Sequence, residues 1–190
     1  MPHITIPDDF AHAPMAYAGQ RLAPQLTAAL NGLSQAVYQH SILPIRVYEA
    51  ARARIAEING CLLCQQYRPT ADIPAGSQVG DRGPVPDEAL YANVSDWQSS
   101  PVYSEREKLA IDFAERFALT PDALGYDEEF WSRARAVFSE AELYDLTVSV
   151  ASCLAAGRVS HVLGFDQISC SVGEALQDWG FVETAPTAAE

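Results

Sequence analysis

The 190-residue chain is 48% hydrophobic and 19% charged, a length that suits a single domain able to bury its own core without a disulfide or metal to staple it. Its formal net charge of -13 argues against nucleic acid or an anionic membrane surface as a main partner, since both reward clustered Lys and Arg. No stretch approaches the roughly 18 apolar residues of a membrane span, and Met1 to Phe10 lacks a basic segment followed by an apolar run, so a cytoplasmic protein with reduced or redox-active thiols is expected.

Alanine is abundant and β-branched alternation is scarce, which predicts an all-α fold. Residues 1–20 read as an extended N-terminal arm, 21–165 as a helical domain, and 166–190 as an acidic C-terminal extension. A first helix is predicted from about Leu22 to Gln39, broken near Asn31-Gly32. Pro44 suits the first turn of the next helix, where Val47, Ala51, Ile55 and Ile58 recur at helical spacing. Asn59-Gly60 is a C-terminal stop. Cys61 opens a short helix that Pro69 ends.

Five prolines and three glycines make residues 69–102 the least regular part. A loop over 69–85 is predicted, with a short helix between Asp87 and Trp97. The second half is strongly helical. Ser104 with Glu107, and Ser139 with Glu142, have the spacing of capping boxes. Leu109, Phe113 and Phe117 mark one apolar stripe, which Thr120-Pro121 stops. Phe130, Ala134, Val137 and Phe138 mark a second. Leu143, Leu146, Val150 and Leu154 mark a third, ending or kinking at Gly157, beyond which Val159, Val162 and Leu163 offer a continuation. The aromatics Trp97, Tyr103, Phe113, Phe117, Phe130, Trp131 and Phe138 fall mainly at helical spacing and read as core.

The chemistry concentrates at Cys61-Leu62-Leu63-Cys64. Cysteines at i and i+3 share one helical face, close enough for a disulfide. Directly after the Gly60 stop they sit at a helix N-terminus, where backbone N–H groups favour thiolate over thiol. One sulfur can then attack a peroxide or disulfide and the other resolve the product. Two alternatives stand beside this: a pair of small hydrophobes in a packed helix, and a zinc knuckle, for which the isolated Cys153 and Cys170 make a poor second half. Those two read as core or incidental thiols. Glu49, twelve residues before Cys61, is either a solvated helix glutamate or a carboxylate folded back to accept a thiol proton.

Glu49 followed by Glu57-Ile58-Asn59-Gly60-Cys61-Leu62-Leu63-Cys64 resembles the carboxymuconolactone decarboxylase family, in particular its alkyl hydroperoxidase D-like branch. Tyr103-Ser104-Glu105-Arg106-Glu107-Lys108-Leu109-Ala110 and the Phe138-Ser139-Glu140 to Leu146 segment, with Arg158 beyond it, extend the likeness over roughly residues 30–165. The resemblance implies a helical bundle with the CxxC pair at a helix N-terminus. It also implies homo-oligomers (trimer, hexamer or dimer) and a peroxiredoxin-type, antioxidant activity that needs no cofactor. By that resemblance Cys64 attacks, Cys61 resolves, Glu49 accepts the proton, and an external thiol system regenerates the pair after a hydroperoxide or other small molecule has reacted.

One position departs from the pattern. Arg68 stands where the family has a relay histidine, and an arginine cannot serve as a base. It is left as a thiolate stabiliser, a partner for Glu49 or a substrate anchor, with Tyr67, His40 and His161 as auxiliary candidates. The departure keeps two other readings open: a decarboxylase- or isomerase-like relative acting on a small organic acid, and a non-enzymatic redox-responsive binding protein.

Overall fold

The computed structural model describes residues 2–70 and 73–167. They form an all-α bundle in which the longer helices are α2 (Pro24–His40), α3 (Ile45–Asn59), α6 (Glu105–Leu119), α8 (Glu128–Val137) and α9 (Glu140–Val162). Short helices α1 (Pro14–Tyr17), α4 (Leu62–Gln66), α5 (Glu88–Ala92) and α7 (Pro121–Gly125) link or flank them. No strand occurs among the described residues; Gln78 and Pro84 make an isolated bridge.

Helix α3 is the centre. Eleven of its fifteen residues are buried, too many for one stripe, so it is covered on several sides. It packs chiefly on α6 and α9. The main core joins Val47, Ala51 and Ile55 of α3 to Leu109 and Phe113 of α6, Phe130 of α8, and Leu146 and Val150 of α9. Burying each of the larger side chains contributes about 1.5–3 kcal/mol. A second cluster sets Ala50 and Ala53 against Leu90, Val94, Trp97, Tyr103 and Ile111. Of the seven aromatics expected in the core, five belong to these clusters and Phe117 and Trp131 pack, partly buried, against the first.

Both capping boxes form, with Ser104 and Ser139 each exchanging bonds with the glutamate three residues on. Pro44 stands just before α3 rather than in its first turn. Pro121, placed as a stop, also opens α7, because a proline at the first helical position gives up no bond the helix would have made. Asp87 caps α5, and the segment then tightens into a 3-10 turn at Val94–Asp96.

Three expectations are corrected. Helix α2 runs unbroken through Asn31-Gly32; a single exposed glycine weakens a helix by about 1 kcal/mol without ending it. Helix α9 continues through Gly157, whose bare Cα lets the Asn59 side chain approach: a Cβ there would lie 2.5 Å from Asn59 Nδ2. The N-terminal arm is not extended. It coils through a 3-10 turn (Asp8–Phe10), α1 and a π turn (Ala18–Leu22). It is held because Met15 packs on Phe165, with Ile4, Ile6 and Leu63 around them.

The 69–85 loop is pinned near its tip, where Arg82 donates to the carbonyls of Leu43 and Tyr38 at 2.8 and 3.3 Å. The C-terminal extension is described only through a 3-10 turn at Phe165–Gln167, and Cys170 lies outside the described residues. No helix among the described residues is long and apolar enough to cross a membrane.

Candidate functional site

The α3–α4 junction brings the cysteines into place. Gly60 adopts φ 67°, the left-handed conformation that closes α3. The Cys61 amide bonds back to the Ala56 carbonyl at 3.2 Å. Cys61 then takes the N-cap position of α4, where its sulfur accepts the Cys64 N–H at 3.2 Å. The two cysteines are joined as a disulfide, with Cα atoms 5.3 Å apart. Their environments differ. Cys61 is fully buried, whereas Cys64 is half-buried and lines a cavity of about 60 Å³ together with Val37, Leu63, Ala156 and Gly157.

Behind the pair lies a buried ion pair. Glu49 is fully buried, and Arg52 Nε donates to both its oxygens at 2.9 and 3.1 Å. Tyr91 OH donates to the same carboxylate at 2.9 Å. The guanidinium is the link to the cysteines: it donates to the carbonyls of Cys64 at 2.8 Å and Tyr67 at 3.1 Å. Burial works against the Arg52 charge, but Glu49, together with Tyr38, Cys153 and Tyr91, outweighs it and holds the guanidinium above its ordinary pKa. A permanent positive charge is thereby fixed to the backbone of Cys64, and it also lines the cavity.

Arg52, and not Arg68, is therefore the partner of Glu49. Arg68 does not line the cavity. Its guanidinium forms a two-pronged ion pair with Glu88 at 2.9 and 3.0 Å and stacks 3.7 Å from the centre of the Tyr91 ring. Tyr67 does line the cavity. Burial, reinforced by Glu49, pushes its phenol up to about 12, so it is a hydrogen-bond donor and not a base. His40 is exposed at the end of α2, away from the cavity. His161 stands in the last turn of α9, with Nδ1 2.9 Å from Asp166.

Four site residues escaped the sequence reading. Arg52 carried one signal: it lies three residues after Glu49, among alanines that mark a crowded helix. Tyr91, Tyr38 and Cys153 arrive from distant elements. Tyr38 and Cys153 line the cavity with Cys64; of the two alternatives for Cys153 it is the core thiol, packed against the main cluster. Burial lifts its pKa to about 11, despite Arg52 nearby, and it is a neutral S–H at neutral pH.

This architecture defines the class: an AhpD-like all-α fold carrying a CxxC pair. A solved structure of a protein of unknown function from Agrobacterium tumefaciens, provisionally assigned as the antioxidant defence protein AhpD, superposes with a TM-score of 0.60 at 22% identity, covering 78% of this chain and 92% of that one. Among curated sequences, the uncharacterized protein YnjA of Escherichia coli is 33% identical over 98 residues, 52% of this chain and 48% of that protein. An uncharacterized Mycobacterium tuberculosis protein is 28% identical over 139 residues, 73% of this chain and 45% of that protein. The chain thus spans about half the length of the curated relatives it matches. No protein-family model matches it.

Proposed function

We propose that this chain is a thiol-dependent peroxidase or disulfide oxidoreductase, working in a reducing cytoplasm as a homo-oligomer. The observation that carries the reading is the asymmetry of the CxxC pair: Cys64 faces an apolar cavity while Cys61 is sealed beneath it. In the reduced protein the Cys64 thiolate attacks the terminal oxygen of a small hydroperoxide. The O–O bond breaks, an alcohol leaves, and Cys64 becomes a sulfenic acid. Cys61 then attacks that sulfur; the S–O bond breaks, water leaves and the disulfide closes. An external dithiol returns both cysteines to thiols.

In this reading Arg52 supplies the charge that favours the Cys64 thiolate, and Glu49 acts through Arg52 by holding it in place. The organic-acid reading asked for Arg68 as a carboxylate anchor in an apolar cleft, and Glu88 already occupies that guanidinium.

The test is to treat the reduced protein with one equivalent of an alkyl hydroperoxide, count the thiols lost and map the disulfides by mass. Rapid appearance of a Cys61–Cys64 bridge, abolished in C64S, is the expected result. Equal, slow peroxide consumption by wild type and C64S overturns the peroxidase reading.

A further inference from the structure

Gly60 is covered by a ring from another helix. A Cβ built on it would lie 3.1 Å from Nε2 of His161 and 3.2 Å from its Cε1. The other ring nitrogen, Nδ1, lies 2.9 Å from Asp166 Oδ2. An ionised carboxylate only accepts, so the network assigns the Nδ1 proton to that bond and leaves Nε2 turned toward Gly60, next to Cys61. The same Asp166 oxygen accepts the backbone N–H of Leu62, the residue that follows Cys61, at 3.0 Å.

Asp166 is 6% exposed, and its second oxygen, Oδ1, is buried without a hydrogen bond. An incompletely satisfied buried carboxylate opposes folding. What the fold gains from it is a histidine fixed in tautomer and orientation, the service an aspartate performs for the histidine of a hydrolytic triad. The two ends of the disulfide are thus served differently. Arg52 holds the backbone of Cys64, and the His161–Asp166 pair closes over the backbone beside Cys61.

We propose that His161, oriented by Asp166, is the proton donor and acceptor for Cys61; this rests on the redox reading of the cysteine pair. When one thiolate of an external dithiol attacks the accessible Cys64 sulfur, a mixed disulfide forms and the Cys61–Cys64 bond breaks. The electron pair goes to Cys61, which takes back the Nε2 proton that His161 acquired when the disulfide last closed, while Nδ1 keeps its own proton on Asp166. The second thiolate of the dithiol then displaces Cys64, leaving two reduced cysteines and an oxidised dithiol. When the disulfide closes again, His161 removes the Cys61 proton. Protonating the departing sulfur lowers the barrier to its leaving, a service Arg68 cannot perform because it does not give up its proton.

The test follows opening of the disulfide by dithiothreitol in the full chain at neutral pH, trapping thiols with iodoacetamide and reading them by mass, with no peroxide present. H161Q retains an amide that can donate a hydrogen bond to Asp166 but has no acidic proton to transfer, and is expected to open at least about tenfold more slowly. H161A is expected to be equally slow and to regain a saturable part of its rate in excess imidazole, while H161Q does not. Unfolding exposes a disulfide and speeds its opening, so a slowed variant is not a misfolded one; circular dichroism checks this directly. Opening of H161Q within about twofold of wild type, or equal acceleration of wild type and H161A by imidazole, overturns the proposal. Because no peroxide enters the assay, a His161-dependent rate in a protein that consumes no peroxide separates this proposal from the peroxidase reading.

Discussion

The Glu49–Arg52 pair offers the sharpest test of how the site is held. Both side chains are almost completely buried, at 0% and 4% exposure. Removing one partner leaves the other as an uncompensated charge in the core, a loss of about 3–5 kcal/mol. Arg52→Met also frees the carbonyls of Cys64 and Tyr67, and Glu49→Leu frees the Tyr91 hydroxyl, each bond contributing about 1 kcal/mol. At roughly 2–4 °C per kcal/mol for a chain of this length, the stranded charge alone is expected to lower the melting temperature of each single variant by about 6–20 °C. The double variant E49L/R52M loses the hydrogen bonds but strands no charge, so it is expected to be no less stable than the weaker single variant. Urea unfolding of the four oxidised proteins measures this. If the two losses add within about 0.5 kcal/mol, as independent sites do, the pair is not a coupled buried unit and the account of Arg52 as the holder of Cys64 fails.

Four further outcomes are expected. Cys153 is raised from its ordinary 9.0 to about 11 by burial. The folded state therefore holds a proton that the unfolded state releases in this window, and stability falls as pH rises from about 9 to about 11; in urea titrations this slope should be steeper in wild type than in C153A. Gly157→Ala is expected to destabilise by about 1–3 kcal/mol, because Asn59 is held by the Cys153 and Leu154 carbonyls and cannot retreat. Gly32→Ala, with nothing near its Cβ, is expected to stabilise by about 0.8–1 kcal/mol; denaturant midpoints that move in the same direction for both would refute the packing argument. Arg68→Ala is expected to leave the rate of Cys61–Cys64 disulfide formation within about twofold of wild type and to cost no more than about 1 kcal/mol, since its charge is spent on a largely exposed Glu88; a large loss of thiol reactivity would return Arg68 to the site.

What the sequence could disclose depended on how local the governing physics is. The capping boxes at Ser104 and Ser139 and the Gly60 stop were legible because each is settled within a few residues of chain. Gly157 and Asn31-Gly32 were misread for opposite reasons. At Gly157 a partner nearly a hundred positions away requires a missing Cβ, so the glycine serves helix packing rather than helix termination. At Gly32 nothing requires the glycine, and the helix absorbs its small cost. The site divides in the same way. Cys61, Cys64 and Glu49 could be named because they lie on consecutive helices with a one-residue hinge between them. Arg68 lies four residues after Cys64, but the helix ends at Gln66 and Tyr67 turns extended, so a helical register does not point Arg68 at the sulfur. Arg52 inherits the contact because α3 runs directly beneath α4, which sets residue 52 under the carbonyls of 64 and 67. The functional charge thus comes from the helix before the cysteines rather than the turn after them, and it is a fixed cation. In the proposed redox reading any proton the pair exchanges passes through a different group, and the imidazole of His161 lies against Gly60, the residue before Cys61.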